Sequence, residues 1–527
     1  MPIQSSNPPE VVTLEGWTGL NQSVARGSIS DQEMWWSENL LPLGPGNLRA
    51  MWGRSAPLFT APSGQTIVRL FGFDLNCTGY IAACLDSGDI AMVNLDAGGS
   101  TTLSGVWTPV APNYPMAIKV WVPIGVPGGT QPLGGLLIGS AGSLYAWDGT
   151  TLTGPGQTAP TWLSGGNTML DPGGSGQQVT STLPSAGSLP NPIVGMEAYE
   201  GSMWVMGESV ISFSAPLNAA DYSTGDGGGS FPYQGDQLTC SYNAIEANSG
   251  ILYLFGDSSV DSVSYVQTQG TPPVTTFSRI NVDPQTGQQF PREVAVWGRA
   301  FALHNTGGGI YVLYGGATQW IAQKVVDLLA RMDTSAYLPT QCAAHIFGRK
   351  VVLFNARLED PWGQWRNLIL VWMGDTQEWT VASQGVELTN IACHERNSFI
   401  TPYGTDGQNV YQLFAEPDPT LPKRLSTRSL RGKGLTTIKN WTRVFLECQD
   451  NGHDGVSFIG SFTTRHGGIP NGVSDIGFEV EPGGIGIIPQ PIQAAGITGE
   501  LDLTSESPDF TLERIHLYYS DRSLFGA

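Results

Sequence analysis

VGMEAYEGSMWVMGESVISFSAP, from Val194, and NAIEANSGILYLFGDSSVDSVSY, from Asn243, are two copies of one pattern. A strand-like run enters a tight polar or Gly-rich turn, and an aromatic-rich strand leads back out. REVAVWGRAFALHNTGGGIYVLYGGATQW from Arg292, AAHIFGRKVVLFNARL from Ala343 and IACHERNSFITPYGTDGQNVYQLF from Ile391 continue it. The starts fall roughly 50 residues apart, the spacing of a chain that lays down one small antiparallel sheet after another. Earlier copies begin at Phe71 and Gly134. The pattern predicts an all-β fold, an irregular β-propeller of six or seven blades, over residues 61–416.

Composition agrees. Charged residues are 13% of the 527, against a usual ~25%. With 68 Gly, 36 Pro and 16 Trp, the chain reads as many short strands joined by tight turns. A disordered chain would have few aromatics and much charge. The net charge of −20 repels nucleic acid wherever basic residues are not clustered. Six cysteines form no CxxC pair, and the six histidines are scattered, so no metal spacing arises. They read as buried free thiols. MPIQSSNPPE lacks the basic and apolar regions of a signal peptide.

Outside the repeats, residues 1–60 read as an N-terminal extension feeding the propeller. Ser30 and Glu33 have capping-box spacing, which predicts a short helix carrying Met34, Trp35 and Trp36. Asn47–Arg54 then reads as a strand feeding the first blade. Two Gly/Ser/Thr/Pro-rich stretches, about 148–192 and 223–230, read as insertions reaching away from the body. After Trp320, Ile321, Val325, Leu328, Leu329 and Met332 recur at helical spacing. A Pro-rich linker at Glu416–Pro422 opens a C-terminal β-sandwich-like domain, 417–527, with Pro489–Gly499 as a long loop inside it.

The sequence carries no catalytic motif. There is no GxSxG elbow, GxxxxGK loop, HExxH or EF-hand spacing. His304 at a turn offers a general base or, more simply, a turn-satisfying surface side chain. His394 beside Cys393 offers a nucleophile pair, but neighbours on a strand point to opposite faces. The expectation is no catalytic residue, no metal and no cofactor. One cluster stands out: Lys423, Arg424, Arg428, Arg431, Lys433, Lys439 and Arg443 place seven of 25 basic residues within 21 positions. It reads either as a DNA-channel wall or as a subunit or intramolecular interface pairing with acids.

Gly16-Trp17-Thr-Gly19-Leu20-Asn21, Trp36-Ser-Glu-Asn39-Leu40-Leu41-Pro42 and Gly46-Asn47-Leu48-Arg49-Ala-Met-Trp52-Gly53 together resemble the opening of tail proteins of short-tailed phages. Gly309–Ile321 with the helix after it, and Leu425–Arg431 before a β-domain, are similar to the same group, the tail nozzle or packaged-DNA stabilisation proteins. The chain departs from the group's pattern at Gln288–Val294. The resemblance implies a non-enzymatic virion component, a homohexameric ring below the portal adaptor. Its other partners would be tail fibre or needle proteins, and packaged double-stranded DNA held without sequence specificity. A carbohydrate-binding or polysaccharide-degrading propeller is the alternative.

Overall fold

The structure is a computed structural model. It describes residues 9–43, 46–122, 134–163, 181–232, 242–283, 285–290, 294–305, 309–335, 338–433, 437–452, 454–466 and 469–522. Among them the secondary structure is almost entirely β, and no helix is long and apolar enough to cross a membrane.

The N-terminal segment holds five short strands: β1 (Glu10–Leu14), β2 (Met34–Glu38), β3 (Leu40–Leu43), β4 (Asn47–Ala50) and β5 (Phe59–Thr60). Blade I then follows as β6 (Ile67–Leu75), β7 (Thr78–Leu85), β8 (Ile90–Asn94) and β9 (Ser100–Leu103). Blade II is β10 (Ala117–Trp121), β11 (Gly135–Ser140), β12 (Ser143–Trp147) and β13 (Leu152–Thr153). Blade III is β14 (Ile193–Tyr199), β15 (Ser202–Gly207), β16 (Val210–Phe213) and β17 (Gly229–Pro232). Blade IV is β18 (Tyr242–Asn248), β19 (Ile251–Gly256), β20 (Val260–Gln269) and β21 (Val274–Asp283). Blade V is β22 (Ala295–Trp297), β23 (Ala300–Asn305), β24 (Gly309–Tyr314) and β25 (Ala317–Trp320).

Blade VI is β26 (Thr340–Ile346), β27 (Arg349–Glu359), β28 (Trp365–Met373) and β29 (Glu378–Ala382). Blade VII is β30 (Asn390–Arg396), β31 (Phe399–Thr405) and β32 (Asn409–Gln412), with β5 as its outer strand. Phe59 and Thr60 pair with Val410 and Asn409, so the chain's early residues complete its last blade and close the ring. Six blades are separate four-stranded sheets. Blade VI instead continues through β2 into a nine-stranded sheet. Blades meet through apolar side chains between their faces, as where Met196 and Ile193 of blade III pack with Leu137 and Leu144 of blade II. Gly72 shows how tight the centre is: a Cβ there would lie 2.1 Å from the Cys393 carbonyl oxygen of blade VII.

The C-terminal strands are β33 (Lys423–Thr427), β34 (Ile438–Asp450), β35 (Val456–His466), β36 (Ile469–Val480), β37 (Ile485–Gly496), β38 (Thr498–Ser505) and β39 (Phe510–Arg522). They build a two-sheet sandwich, but not by themselves. One sheet runs β3-β4-β39-β34-β37 with β1 on β39, and the other runs β2-β33-β38-β35-β36. Its core mixes Leu14, Trp17, Met34 and Leu48 with Trp441, Phe462, Phe510 and Leu517. The described part of residues 1–60 therefore serves both bodies, with β5 in the propeller. Among those described, four of the five strands belong to the sandwich.

Several local expectations are corrected. Met34, Trp35 and Trp36 lie on strand β2, not on a helix. The Ser30–Glu33 turn does form, with the Ser30 amide donating to Glu33 Oε2 at 3.1 Å. The chain then extends, because β2 pairs with β33. The helix after Trp320 shrinks to a 3-10 turn, Ala322–Val325, and one short helix, α1 (Val326–Leu329). Ser223–Ser230 is a 3-10 turn running into β17 rather than an outward loop. In the 148–192 stretch, Trp162, Leu163, Leu183 and Leu189 pack into the core between blades II and III. Residues 164–180 lie outside the described residues. Pro489 and Pro491 sit inside β37, which pairs with β34 alone. An edge strand tolerates proline, since its missing N–H faces away from the ladder.

Candidate functional site: the propeller axis and the basic segment

The innermost strands of the blades bring one rung of side chains to the axis. Lys119 of β10, Glu197 of β14 and Glu246 of β18 border an axial cavity of about 370 Å³, completed by Gly72, Val296 and Cys393. Lys119 Nζ is 2.5 Å from Glu197 Oε2. Lys119 and Glu197 thus form an ion pair, with Glu246 close enough to add its charge. Burial pushes Glu197 up to about 7, and burial likewise raises Glu246. Both glutamates raise the Lys119 pKa, against the pull of burial, and keep the ammonium charged. This rung can hold a proton at neutral pH.

A second cavity, of about 540 Å³, lies where blades I, II, VI and VII converge with the segment before blade V. Its walls are stitched between blades by side chains that satisfy backbone groups. Asn390 Oδ1 accepts from the Leu70 amide at 3.1 Å, and Thr340 Oγ1 from the Ile391 amide at 3.1 Å. Arg69 Nη1 donates to the Met116 carbonyl at 2.7 Å. Gln288 Oε1 accepts from the His304 amide at 2.8 Å.

His304 is buried, not a surface turn residue. Its ring packs against Phe290 at 4.8 Å, and Nε2 has no partner. Burial pushes its pKa down to about 4, so the ring is neutral. His394 Nε2 donates to Asp74 Oδ1 at 2.9 Å, while Cys393 packs among the apolar residues between blades VI and VII. The two point apart, as strand geometry requires. Among the described residues no group of three His, Cys, Asp or Glu is placed to hold a metal ion. The five described cysteines are free thiols.

The seven basic residues do not make one patch. Lys423, Arg424 and Arg428 lie on or beside β33, whereas Lys439 and Arg443 lie on β34 of the facing sheet. Lys423 is buried and donates to the Asp418 carbonyl at 2.8 Å, and burial lowers its pKa to about 8. Lys439 is buried too, donating to the Thr437 carbonyl at 3.0 Å. Arg424 stands 3.8 Å from Glu38 and over the Trp362 ring. Arg428 pairs with Asp31 at 2.8 Å, and Lys433 approaches Glu10 at 3.7 Å. The acids these three meet belong to the N-terminal segment of the same chain. Arg431, Lys433 and Arg443 are the exposed members.

No family model matches this chain, and no curated protein matches it. Solved structures do. The chain is similar to BBS1N, solved in complex with ARL6DN, at 12% identity over 69% of this chain and 97% of that one, TM-score 0.38. It is similar to the WD40 β-propeller domain of Doa1 at 8% identity over 69% and 96%, TM-score 0.37. An exo-β-1,3-galactanase from Phanerochaete chrysosporium matches at 10% identity over 89% and 100%, TM-score 0.24. At these scores the likenesses carry no argument about a site, and the propeller rests on the strand pairing above.

The axial rung was open to sequence reasoning and was missed. Lys119, Glu197 and Glu246 occupy the same place in Ala117-Ile-Lys, Gly195-Met-Glu and Ala244-Ile-Glu. Aligning the repeats strand by strand brings the three into register.

Proposed function

We propose that this chain is a structural virion protein, the tail nozzle of a short-tailed phage, assembling as a homohexameric ring below the portal adaptor. The ring would retain packaged double-stranded DNA and conduct it on ejection, with tail fibre or needle proteins as further partners. One observation carries the reading. The residues with the resemblance, between Gly16 and Gly53, are the ones that weld the propeller to the sandwich. Trp17, Leu20, Trp36, Leu41 and Leu48 are all buried there. Gly19 and Asn39 take left-handed backbone conformations at φ 84 and 58. A pattern this demanding specifies a particular two-domain architecture rather than composition alone.

The charge fits as well: the chain carries a net charge of −20, and an acidic wall would let a polyanion slide without sticking. Ile459 and Val473 share the outward face of β35 and β36, each more than 60% exposed, an apolar surface suited to a neighbouring copy. A ring needs heterologous contacts that close. Negative-stain imaging of the purified chain tests the reading: six-fold rings are expected, and isolated particles at high concentration contradict it. Reversing Arg428 and Arg431 to Glu tests the basic segment. Lost DNA retention places it at the channel and lost assembly at the interface, while neither change removes it from both.

A further inference from the structure

The two ends of the sandwich carry opposite charge. At one end β34 finishes at Asp450, β35 begins at Val456 and β36 finishes at Val480. The Gly455 and Gly483 amides both donate to Asp450 Oδ2 there, at 2.9 and 2.8 Å, and tie the two sheets together. An open groove of about 430 Å³ lies at this end, with Val456 and Val480 in its wall. Asp454, Glu479, Glu481 and Glu506 stand exposed around it. Among the described residues none of these four carboxylates forms an ion pair. Lys423 feels the charge of Glu506, but it is buried and donates to the Asp418 carbonyl.

At the other end β34 begins at Ile438 and β37 finishes at Gly496. Leu430 bridges to Gly499 there, and the Lys433 amide donates to the Tyr519 hydroxyl at 2.7 Å. The exposed charges of this end are positive. Arg431 is exposed and forms no ion pair among the described residues. Lys433 only approaches Glu10, at 3.7 Å, and Arg443 is exposed on the same half of β34. Glu10 and Asp521 lie nearby, and both act on the buried Lys439 ammonium.

A single unpaired surface charge is ordinary, and an exposed ion pair contributes little. Separation of the two signs is the informative feature. β34 spans 13 residues, roughly 40 Å, which is several Debye lengths of ~8 Å. One end therefore cannot neutralise the other within a copy. We propose that the acidic groove of one copy receives the Arg431–Lys433 segment of the next. Like ends repel and unlike ends attract, so copies join head to tail. Glu479 pairs with Ser457 on the outward face that also carries Ile459, so the groove continues the exposed apolar surface. The contact rests on the ring reading for its closure, since the same junction builds an open chain where the rotation does not close.

Two variants of the full chain test it. Arg431→Glu with Lys433→Glu makes both ends acidic, and Glu479→Lys with Glu481→Lys and Glu506→Lys makes both ends basic. Sedimentation at several concentrations should show self-association weakened at least about tenfold in each variant alone. An equimolar mixture should recover it, because every junction then joins unlike ends again, and recovery also shows that both variants fold. Undiminished association of either variant alone, or a mixture that does not recover, overturns the proposal. Six-fold rings that persist in both variants overturn this contact and uphold the ring. Recovery of the mixture as open chains without rings upholds the contact and overturns the ring. A native chain that stays a monomer at every concentration overturns both.

Discussion

Glu38 and Arg366 meet through two hydrogen bonds, Nη2 to Oε1 at 2.6 Å and Nη1 to Oε2 at 3.0 Å. The pair ties strand β2, which runs into the sandwich sheet, to the third strand of blade VI. Glu38 is wholly buried. Its remaining oxygen capacity is taken by Trp36 Nε1 at 3.2 Å and Ser383 Oγ at 3.1 Å. Asn39 extends the joint, donating to the Pro422 carbonyl at 2.8 Å and accepting from the Ser383 amide at 2.7 Å. Propeller and sandwich are thus held at one polar knot.

Breaking that knot from one side leaves an uncompensated charge. Glu38→Ala should cost about 3–5 kcal/mol, the range for removing one partner of a buried pair. Glu38→Gln, which keeps the shape and much of the hydrogen bonding, should cost less. Denaturant unfolding of the two variants checks this. A loss under about 1 kcal/mol for Glu38→Ala would mean the pair behaves as a surface bridge.

Gly19 touches the same blade from the other side of the segment. Its φ is 84, and a Cβ would sit 2.5 Å from the Trp379 carbonyl oxygen, which accepts from the Leu20 amide at 2.6 Å. Gly19→Ala adds left-handed strain of about 1–2 kcal/mol to a backbone clash that no rotamer relieves. Thermal unfolding should show a loss of about 2 kcal/mol or more. Gly64→Ala, also at positive φ but with open space around it, should cost the strain alone.

The axial rung and His304 impose opposite pH dependences. Glu197 titrates near 7 in the fold against 4.5 unfolded, so the native state keeps a proton that the unfolded chain has released. Its contribution is full at low pH and falls as pH rises from about 4.5 to about 7. His304 titrates near 4 against 6.5 unfolded, so its contribution is full at high pH and falls as pH drops from 6.5 to about 4. Each is of order 3 kcal/mol. They offset one another, and the native chain should show a shallow melting profile from pH 4.5 to 6.5. Glu197→Gln should lose stability steeply on acidification, and His304→Gln should gain it. A Glu197→Gln profile parallel to the native one would show that the rung does not titrate.

On the outer face of the sandwich, Ile459 and Val473 are exposed on adjacent strands. Ile459→Lys with Val473→Lys should leave the melting temperature of the monomer unchanged while reducing self-association at least tenfold. Sedimentation at several concentrations reads both. Unchanged association would move the contact to another surface.

The blades were legible because their information is local. Each hairpin pairs residues a few positions apart across turns such as Asp86-Ser-Gly-Asp and Ser140-Ala-Gly-Ser, and alternation along the strand marks the buried face. The sandwich was half legible for the opposite reason. The hairpins after Trp441 announce themselves by alternation, but β1 reaches its partner β39 across nearly the whole chain, and no local signal says so. Ser30 and Glu33 make the contact that their spacing implies, yet Met34–Glu38 extends because β33 offers a ladder on one side. Pro489 and Pro491 argued for a loop until the strand that carries them proved to be an edge. In the basic segment, sequence showed the clustering but not the alternation that buries Lys423 and Lys439 and leaves Arg431 and Arg443 in solvent.

The central claim concerns assembly, and the mass of the purified chain tests it most directly. Light scattering during size exclusion should return six copies of the 56.2 kDa chain, with six-fold rings in the same fraction by negative stain. A single mass of 56.2 kDa at every concentration, with no ring in any fraction, would contradict the nozzle reading.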